Sequence, residues 1–251
     1  MKIAQLSTGH PEIFHTLQGE GISTGVPAVF VRASQCNLHC LWCDTDYTWN
    51  WTGTPWPHEK DSEAGYQKFN RQQSQLEMTP TDVAGAIREH DCRRLVVTGG
   101  EPLVQQKEFT DVLKILRGWD PEWTFELETN GTIRPHEALD DLVNQYNVSP
   151  KLTNSGNPTR LRLVEEALAF FAASSKAWFK FVVSAASDLA EITALQDQLD
   201  LAPDRIVLMP EGRDATTLRT RRQWLADRCI EKGYRYSDRL HIQLWGNERG
   251  R

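Results

Sequence analysis

The sequence predicts an α/β fold: a partial (β/α)6 TIM-like barrel in one domain, residues 1–251, with an insertion after a cysteine-bearing loop. Two observations predict it. Strand-like runs rich in β-branched and aromatic residues alternate with helix-like stretches about six times, which implies a parallel sheet short of the eight units of a closed barrel. The chemically unusual residues fall just after these strand-like runs, and parallel α/β folds bind ligands at the carboxyl ends of their strands.

The first run is "AVFVRA" (28–33), with Arg32 near its end and Cys36, Cys40 and Cys43 beyond it. Residues 47–78 are polar, punctuated by Pro and Gly, and read as a long insertion; its Trp49, Trp51 and Trp56 suit a lid, a dimer surface or a small core. A helix follows over 79–90, with Thr79 as cap, Pro80 in the first helical position and Asp82 in the first turn. "RLVVTG" (94–99) leads into "GGEP" and a helix over 105–118, and "TFELET" (124–129) leads into "NG" and a helix over 134–145. "YNVS" (146–149) precedes "PK" and a helix over 159–175. "AWFKFVV" (177–183), a helix over 187–199, "RIVLMP" (205–210) and a helix over 215–233 complete the series, with right-handed connections expected.

With 251 residues, 39% hydrophobic and 25% charged, the chain suits a soluble globular protein. No apolar run approaches the ~18 residues of a membrane span. The opening "MKIAQLSTGHPEIFH" has neither a secretory nor an organelle-targeting pattern, so a cytoplasmic location is expected. A net charge of −6 argues against a nucleic-acid surface, which needs a basic stripe. The five cysteines do not form a secreted disulfide pattern, and Cys92 and Cys229 read as buried structural thiols.

Three clustered thiolates suit zinc, copper(I) or an iron–sulfur cluster. A structural zinc site wants four ligands, usually in two paired knuckles, and there is no second pair. His39 would have to turn back sharply to share a metal with its neighbour Cys40. A cluster held wholly by protein uses four cysteines, and Cys92 precedes a strand, at the end opposite the rim. What remains is a four-iron cluster with three protein ligands and one open iron.

C-x3-C-x2-C, with an aromatic residue before the last cysteine, resembles the signature of radical S-adenosylmethionine enzymes. In those enzymes the methionyl amino and carboxylate groups chelate the open iron, and the reduced cluster cleaves the sulfonium to give a 5′-deoxyadenosyl radical. Gly99, Gly100 and Glu101 resemble the superfamily's glycine-rich strand end. Glycine there lets backbone approach a ligand, and a carboxylate can meet the cofactor's ammonium. Glu128 and Asn130 are candidates for ribose contacts.

The flanks narrow the resemblance. "EIFHTLQGEG" (12–21), "GVPAVFVR" (25–32), "CDT" (43–45), "VVTGGEP", "ETNG", "SPK" and "LWGNERGR" are similar to the 7-carboxy-7-deazaguanine synthase family. The resemblance implies a carbon–nitrogen lyase that converts 6-carboxy-5,6,7,8-tetrahydropterin into 7-carboxy-7-deazaguanine with loss of ammonia, on the way to queuosine and related 7-deazapurines. It implies three cofactors: a [4Fe-4S] cluster, S-adenosyl-L-methionine and Mg2+. By position, Cys36, Cys40 and Cys43 would hold the cluster and Thr45 the magnesium. Trp42, Cys43, Asp44, Gly100, Glu101, Ser149, Pro150 and Lys151 would contact S-adenosylmethionine, and Leu17, Gln18, Gly19, Glu20, Arg32 and Thr98 the substrate. Arg32 suits the substrate carboxylate because a guanidinium forks onto it in two places.

Some relatives end in "HKYLN" with a carboxyl terminus near the substrate, whereas this chain ends "LWGNERGR"; a substrate-proximal tail over about 240–251 is expected, and no histidine contact is assigned to His241. The small-molecule substrate, an electron donor such as flavodoxin or ferredoxin, and a homodimer are the expected partners, with neither nucleic acid nor membrane. The rival readings are an activase that makes a glycyl radical on a partner protein, against which "LQGEG" and the "CDT" threonine speak, and a zinc-binding module.

Overall fold

The computed structural model describes residues Met1–Arg251. Its strands are β1 Lys2–Ser7, β2 His10–Pro11, β3 Ile13–Leu17, β4 Pro27–Ala33, β5 Gln75–Glu77, β6 Arg94–Gly99, β7 Thr124–Thr129, β8 Gln145–Val148, β9 Ala177–Val183, β10 Ile206–Pro210 and β11 Arg235–Tyr236. Its helices are α1 Arg71–Ser74, α2 Pro80–Arg88, α3 Gln106–Trp119, α4 Glu137–Asp140, α5 Thr159–Arg162, α6 Glu165–Ala173, α7 Asp188–Leu199, α8 Ala215–Lys232 and α9 Leu240–Trp245. No helix is long and apolar enough to cross a membrane.

All the strands join one sheet, in which β4, β6, β7, β8, β9, β10 and β11 lie in that order and run parallel. The sheet does not close. One edge ends at β11, and at the other antiparallel β1 carries β2 and β5. β3 pairs antiparallel with β4, so the first parallel strand is the second arm of a hairpin.

Alternation along each strand divides the sheet into two faces. Val29, Val31 and Ala33 of β4, Phe125 and Leu127 of β7, and Phe179, Phe181 and Val183 of β9 join a helix-covered core of 36 buried residues. The intervening residues face the concave side. There Phe14, Ala28, Phe30 and Val96 form a small apolar cluster, while Arg32, Thr98, Glu128 and Lys180 line a cavity. The helices supply the outer cover. α2 starts as expected, with Thr79 Oγ1 accepting from Asp82 N at 3.2 Å and Asp82 accepting from Thr79 N at 3.3 Å, and it buries Val83, Ala84 and Ile87.

Two expectations need correction, and the end of the 47–78 insertion is itself structured: β5 pairs with β1 and extends the sheet. The helix expected over 159–175 is two helices, α5 and α6, with Leu163 non-helical and Val164 extended between them. The buried Arg162 guanidinium fixes that break by donating to Lys151 O at 2.8 Å, Thr153 Oγ1 at 2.9 Å and Glu191 Oε1 at 2.5 Å. The helix expected over 134–145 shrinks to the single turn α4, whose C-terminal end carries Asp140 and Asp141 against the helix dipole.

Candidate active site

The floor of the cavity comes from the β3–β4 connection. After Leu17 the chain leaves the sheet and crosses its concave side. Gln18 Nε2 donates to Glu126 Oε1 at 2.9 Å and Glu128 Oε1 at 3.1 Å, both on β7. Gly19 O accepts from Leu240 N at 2.9 Å, and Gly21 N donates to Ser237 Oγ at 2.7 Å. Gly19 has no room for a side chain, since a Cβ there would lie 2.1 Å from His241 Nδ1. The floor is tied beneath by Glu126, which is buried and accepts from Arg94 Nη2 at 2.7 Å and from Asn147 Nδ2.

The rim is the cysteine loop. Gly100 N donates to Ala33 O at 3.0 Å and Glu101 N to Gln35 O at 2.9 Å, joining the end of β6 to the start of that loop. The approach is so close that a Cβ on Gly99 would sit 2.2 Å from Ala33 O, and one on Gly100 2.0 Å from Gln35 O. The glycine pair is therefore required by the chain's own backbone, a different reason from the ligand approach expected. The insertion braces the loop from outside. Buried His58 bonds Cys43 O through Nε2 at 2.9 Å, and buried Asp46 holds Lys60 at 3.1 Å and the Tyr66 hydroxyl at 2.7 Å. Trp49, 2% exposed, packs edge-on against His58, which makes part of the insertion a small aromatic core.

Cys36, Cys40 and Cys43 are free thiols that open into one cavity of about 220 Å³. Cys36 Sγ accepts from Leu38 N at 3.4 Å and Cys40 Sγ from Asn157 Nδ2 at 3.3 Å, contacts that suit thiolates. Burial pushes all three thiols up, Cys40 to about 12, and the other two thiols raise Cys36 further. Such thiols ionise readily only against a strong cationic centre, which iron supplies. No three His, Cys, Asp or Glu side chains are arranged to hold a single ion. Three thiols around a shared cavity are suited to a polynuclear cluster, and the residues fit that group.

Leu17, Gln18, Gly19, Glu20, Arg32, Trp42, Asp44, Thr45, Thr98, Gly100, Ser149 and Lys151 join the three cysteines on the cavity wall. Two expected residues do not. The Glu101 carboxylate turns inward, accepting from Leu103 N at 3.0 Å, Thr129 Oγ1 at 2.9 Å and Asn130 N at 2.7 Å. It fastens the ends of β6 and β7 together, and its Oε2 has Asn130 N as its one partner. Pro150 is buried off the wall between Ser149 and Lys151. Gln18 is on the wall, but its amide is occupied by Glu126, Glu128 and, through Oε1, Glu20 N at 3.2 Å. It acts as a strut for the floor, not as a free donor. Asn130 and Glu128 also reach the cavity. The Asn130 amide bonds Asn37 at 2.9 Å and Thr132, and Glu128 accepts from Thr98 Oγ1 at 2.6 Å.

Residues that the sequence reading missed complete the wall: the charged Lys180 of β9 and Arg239 before α9, and His241, to which no contact was assigned. Burial would raise the Glu20 carboxyl, yet Lys180 and Arg239 hold it well below the usual carboxylate range. Lys180 itself is raised, because Glu20 and Glu128 outweigh its burial. Burial lowers His241. Arg32 donates through Nε to Glu12 Oε1 at 2.8 Å, and that buried carboxylate also meets Arg249 Nη2 at 2.7 Å and the Tyr47 hydroxyl at 2.9 Å. The C-terminal tail thus reaches the site through Arg249, and Arg251 lies on the cavity wall.

Residues 31–153 match the Radical SAM superfamily. The 7-carboxy-7-deazaguanine synthase of Pyrobaculum aerophilum is 37% identical over 243 residues, 96% of each chain. That of Escherichia coli strain K12 is 30% identical over 248 residues, 93% of this chain and 96% of its own. The crystal structure of QueE from Escherichia coli superposes with a TM-score of 0.64 at 25% identity, covering 96% of this chain and 95% of that one. Streptococcus suis SuiB bound to its precursor peptide SuiA shares the fold alone, with a TM-score of 0.53 at 12% identity over 83% of this chain and 47% of that one. Identity of 37% sustained along 96% of the sequence means that the chain belongs to the 7-carboxy-7-deazaguanine synthase family.

Proposed function

We propose that the protein is a radical S-adenosylmethionine lyase that converts 6-carboxy-5,6,7,8-tetrahydropterin into 7-carboxy-7-deazaguanine with loss of ammonia, for queuosine-type 7-deazapurines. The observation that carries this reading is that the three thiols and a floor rich in charged and amide groups open into one cavity. When bound, the cluster and S-adenosylmethionine supply a 5′-deoxyadenosyl radical. Cys36, Cys40 and Cys43 hold the cluster, and Trp42, Asp44, Gly100, Ser149 and Lys151 shape the cofactor's side of the cavity. On the substrate's side, the Glu128 carboxylate offers acceptors to the amino and amide N–H groups of a pterin. Arg32, its Nε occupied by Glu12, keeps both Nη groups for the substrate carboxylate. Thr98 holds Glu128 in position. The crossing floor closes the cavity from below, which suits a small molecule better than a protein strand.

The deciding experiment incubates anaerobically reconstituted protein with S-adenosylmethionine, a reductant and 6-carboxytetrahydropterin, and follows the deazaguanine chromophore. Cofactor cleavage with no turnover of any pterin, but with a radical appearing on a protein partner, would replace this reading with the activase. By resemblance, the electron donor is of flavodoxin or ferredoxin type, the working form is a homodimer, and the location is cytoplasmic.

Thr45 is proposed as the protein's magnesium contact. Its hydroxyl is on the cavity wall, and its side-chain contact is Cys43 Sγ at 3.6 Å, which leaves the oxygen free for a hard cation. Thr45→Val is expected to keep its cluster and cleave S-adenosylmethionine, yet lose most of the magnesium-dependent part of its turnover, while Thr45→Ser preserves much of it. Turnover against magnesium concentration checks this, and a native response in the valine variant would make Thr45 an ordinary loop residue.

A further inference from the structure

The strongest feature outside the motifs is a buried arginine between two carboxylates. Arg239 is 6% exposed and precedes α9. Its Nε donates to Glu20 Oε1 at 2.9 Å, its Nη2 to Asp44 Oδ2, and its Nη1 to Gly212 O at 2.6 Å. Glu20 belongs to the floor that crosses the cavity, whereas Asp44 follows Cys43 directly on the rim. The two carboxylates carry like charge and bond the same guanidinium, which holds them together as the cation between them. A guanidinium does this well because its planar fork offers separate N–H groups in fixed directions. Lys180 holds the other oxygen of Glu20, and Leu240 N and Ser237 Oγ hold the backbone of Gly19 and Gly21. Arg239 thus sits on a segment already fastened to the floor and reaches across to the rim.

We infer that Arg239 is a positioning residue that couples the two ligand sites, so that cofactor seated against the rim at Asp44 fixes Glu20 and tightens binding of substrate on the floor. The inference rests on the proposed function, with cofactor on the Asp44 side and substrate on the Glu20 side. Its chemical use is register. A radical formed at one ligand is productive only if the other ligand is held within reach, and a misplacement of about 1 Å costs on the order of a hundredfold in rate. Coupling through Arg239 is reciprocal, so substrate must tighten cofactor by the same factor.

The test uses the reconstituted holoprotein without reductant, so that both ligands bind and nothing turns over. The dissociation constant of 6-carboxytetrahydropterin is measured by equilibrium dialysis with and without saturating S-adenosylmethionine, for the native protein, Arg239→Gln and Arg239→Lys. In the native protein the cofactor is expected to tighten the pterin about fivefold or more. In both variants that factor is expected to fall to within about twofold of one while iron content stays native, because a lysine ammonium is a point charge that cannot fork onto both carboxylates. With reductant added, the variants are also expected to release more 5′-deoxyadenosine per product than the native protein. If the glutamine variant does not fold, the lysine variant, which keeps the buried charge, decides. A folded variant with the native factor, or a native protein with none, would overturn the inference. Failure of native protein to bind the pterin at all would instead overturn the proposed function.

Discussion

Alanine at Cys36, Cys40 or Cys43 is expected to abolish uptake of the four-iron cluster, and with it cleavage of S-adenosylmethionine, while alanine at Cys92 or Cys229 leaves both intact. The three thiols share one cavity. Cys92 lies below the amino-terminal end of β6, its Sγ 3.6 Å from Arg94 O and 3.7 Å from Pro27 O. Cys229 is buried on α8, 3.4 Å from Arg235 O. Neither can approach the rim without dismantling the sheet. Iron and sulfide analysis after anaerobic reconstitution reads the result directly. A Cys92→Ala protein without cluster would refute the assignment of ligands, and a colourless native protein that binds only zinc would end the radical reading.

The second large effect is at Arg32. Removing one partner of a buried charge-assisted pair costs about 2–5 kcal/mol. Since ~1.4 kcal/mol is a factor of ten, Arg32→Ala is expected to weaken substrate binding roughly 30-fold or more. Arg32→Lys should rescue only part of this, because an ammonium lacks the fork. The structure adds a condition. Arg32 shares Glu12 with Arg249, so the alanine variant still has a cation on that carboxylate and should keep its fold and cluster. The loss should therefore appear in pterin affinity, measured by dialysis, and not in iron content. Unchanged affinity in the alanine variant would remove Arg32 from the substrate's side of the site.

Much of the barrel is written plainly in the sequence. The runs 94–99, 124–129 and 177–183 coincide with β6, β7 and β9, since the core face of a buried parallel strand is apolar and rich in β-branched and aromatic residues. The N-terminal strands β1 to β3 and the three-residue β5 went unread: β2 and β5 are too short to carry periodicity, and β1 and β3 lie outside the alternation of strands with helices. The cysteines were legible from spacing, as were the wall positions matched by resemblance. Lys180, Arg239 and His241 were not. A signal for Lys180 did exist: a lysine inside "AWFKFVV", like the alternate glutamates inside "TFELET", interrupts an otherwise apolar strand on one face, which marks a polar lumen there. Arg239 had no such signal. Its partners Glu20 and Asp44 are 219 and 195 residues away, and only the folded chain brings them together. Glu101 was legible as a special residue, but the bonds by which it fastens β6 to β7 were not, because a motif does not show which way a carboxylate turns.

The cysteine loop takes its shape from chain that comes much later. Its backbone and side chains are clipped to Ser155 and Asn157, with His39 N donating to Asn157 Oδ1 across 118 residues, and Asn37 reaches Thr132 across 95. At a synthesis rate of roughly 5–20 residues per second, on the order of ten seconds separate the emergence of the thiols from that of the residues that clamp them. During that interval all three ligands are present with no cradle around them. Uptake of the cluster at these thiols is therefore expected late in maturation, after closure of long loops, and a ribosome stalled before Asn157 would present the three sulfurs in no fixed arrangement.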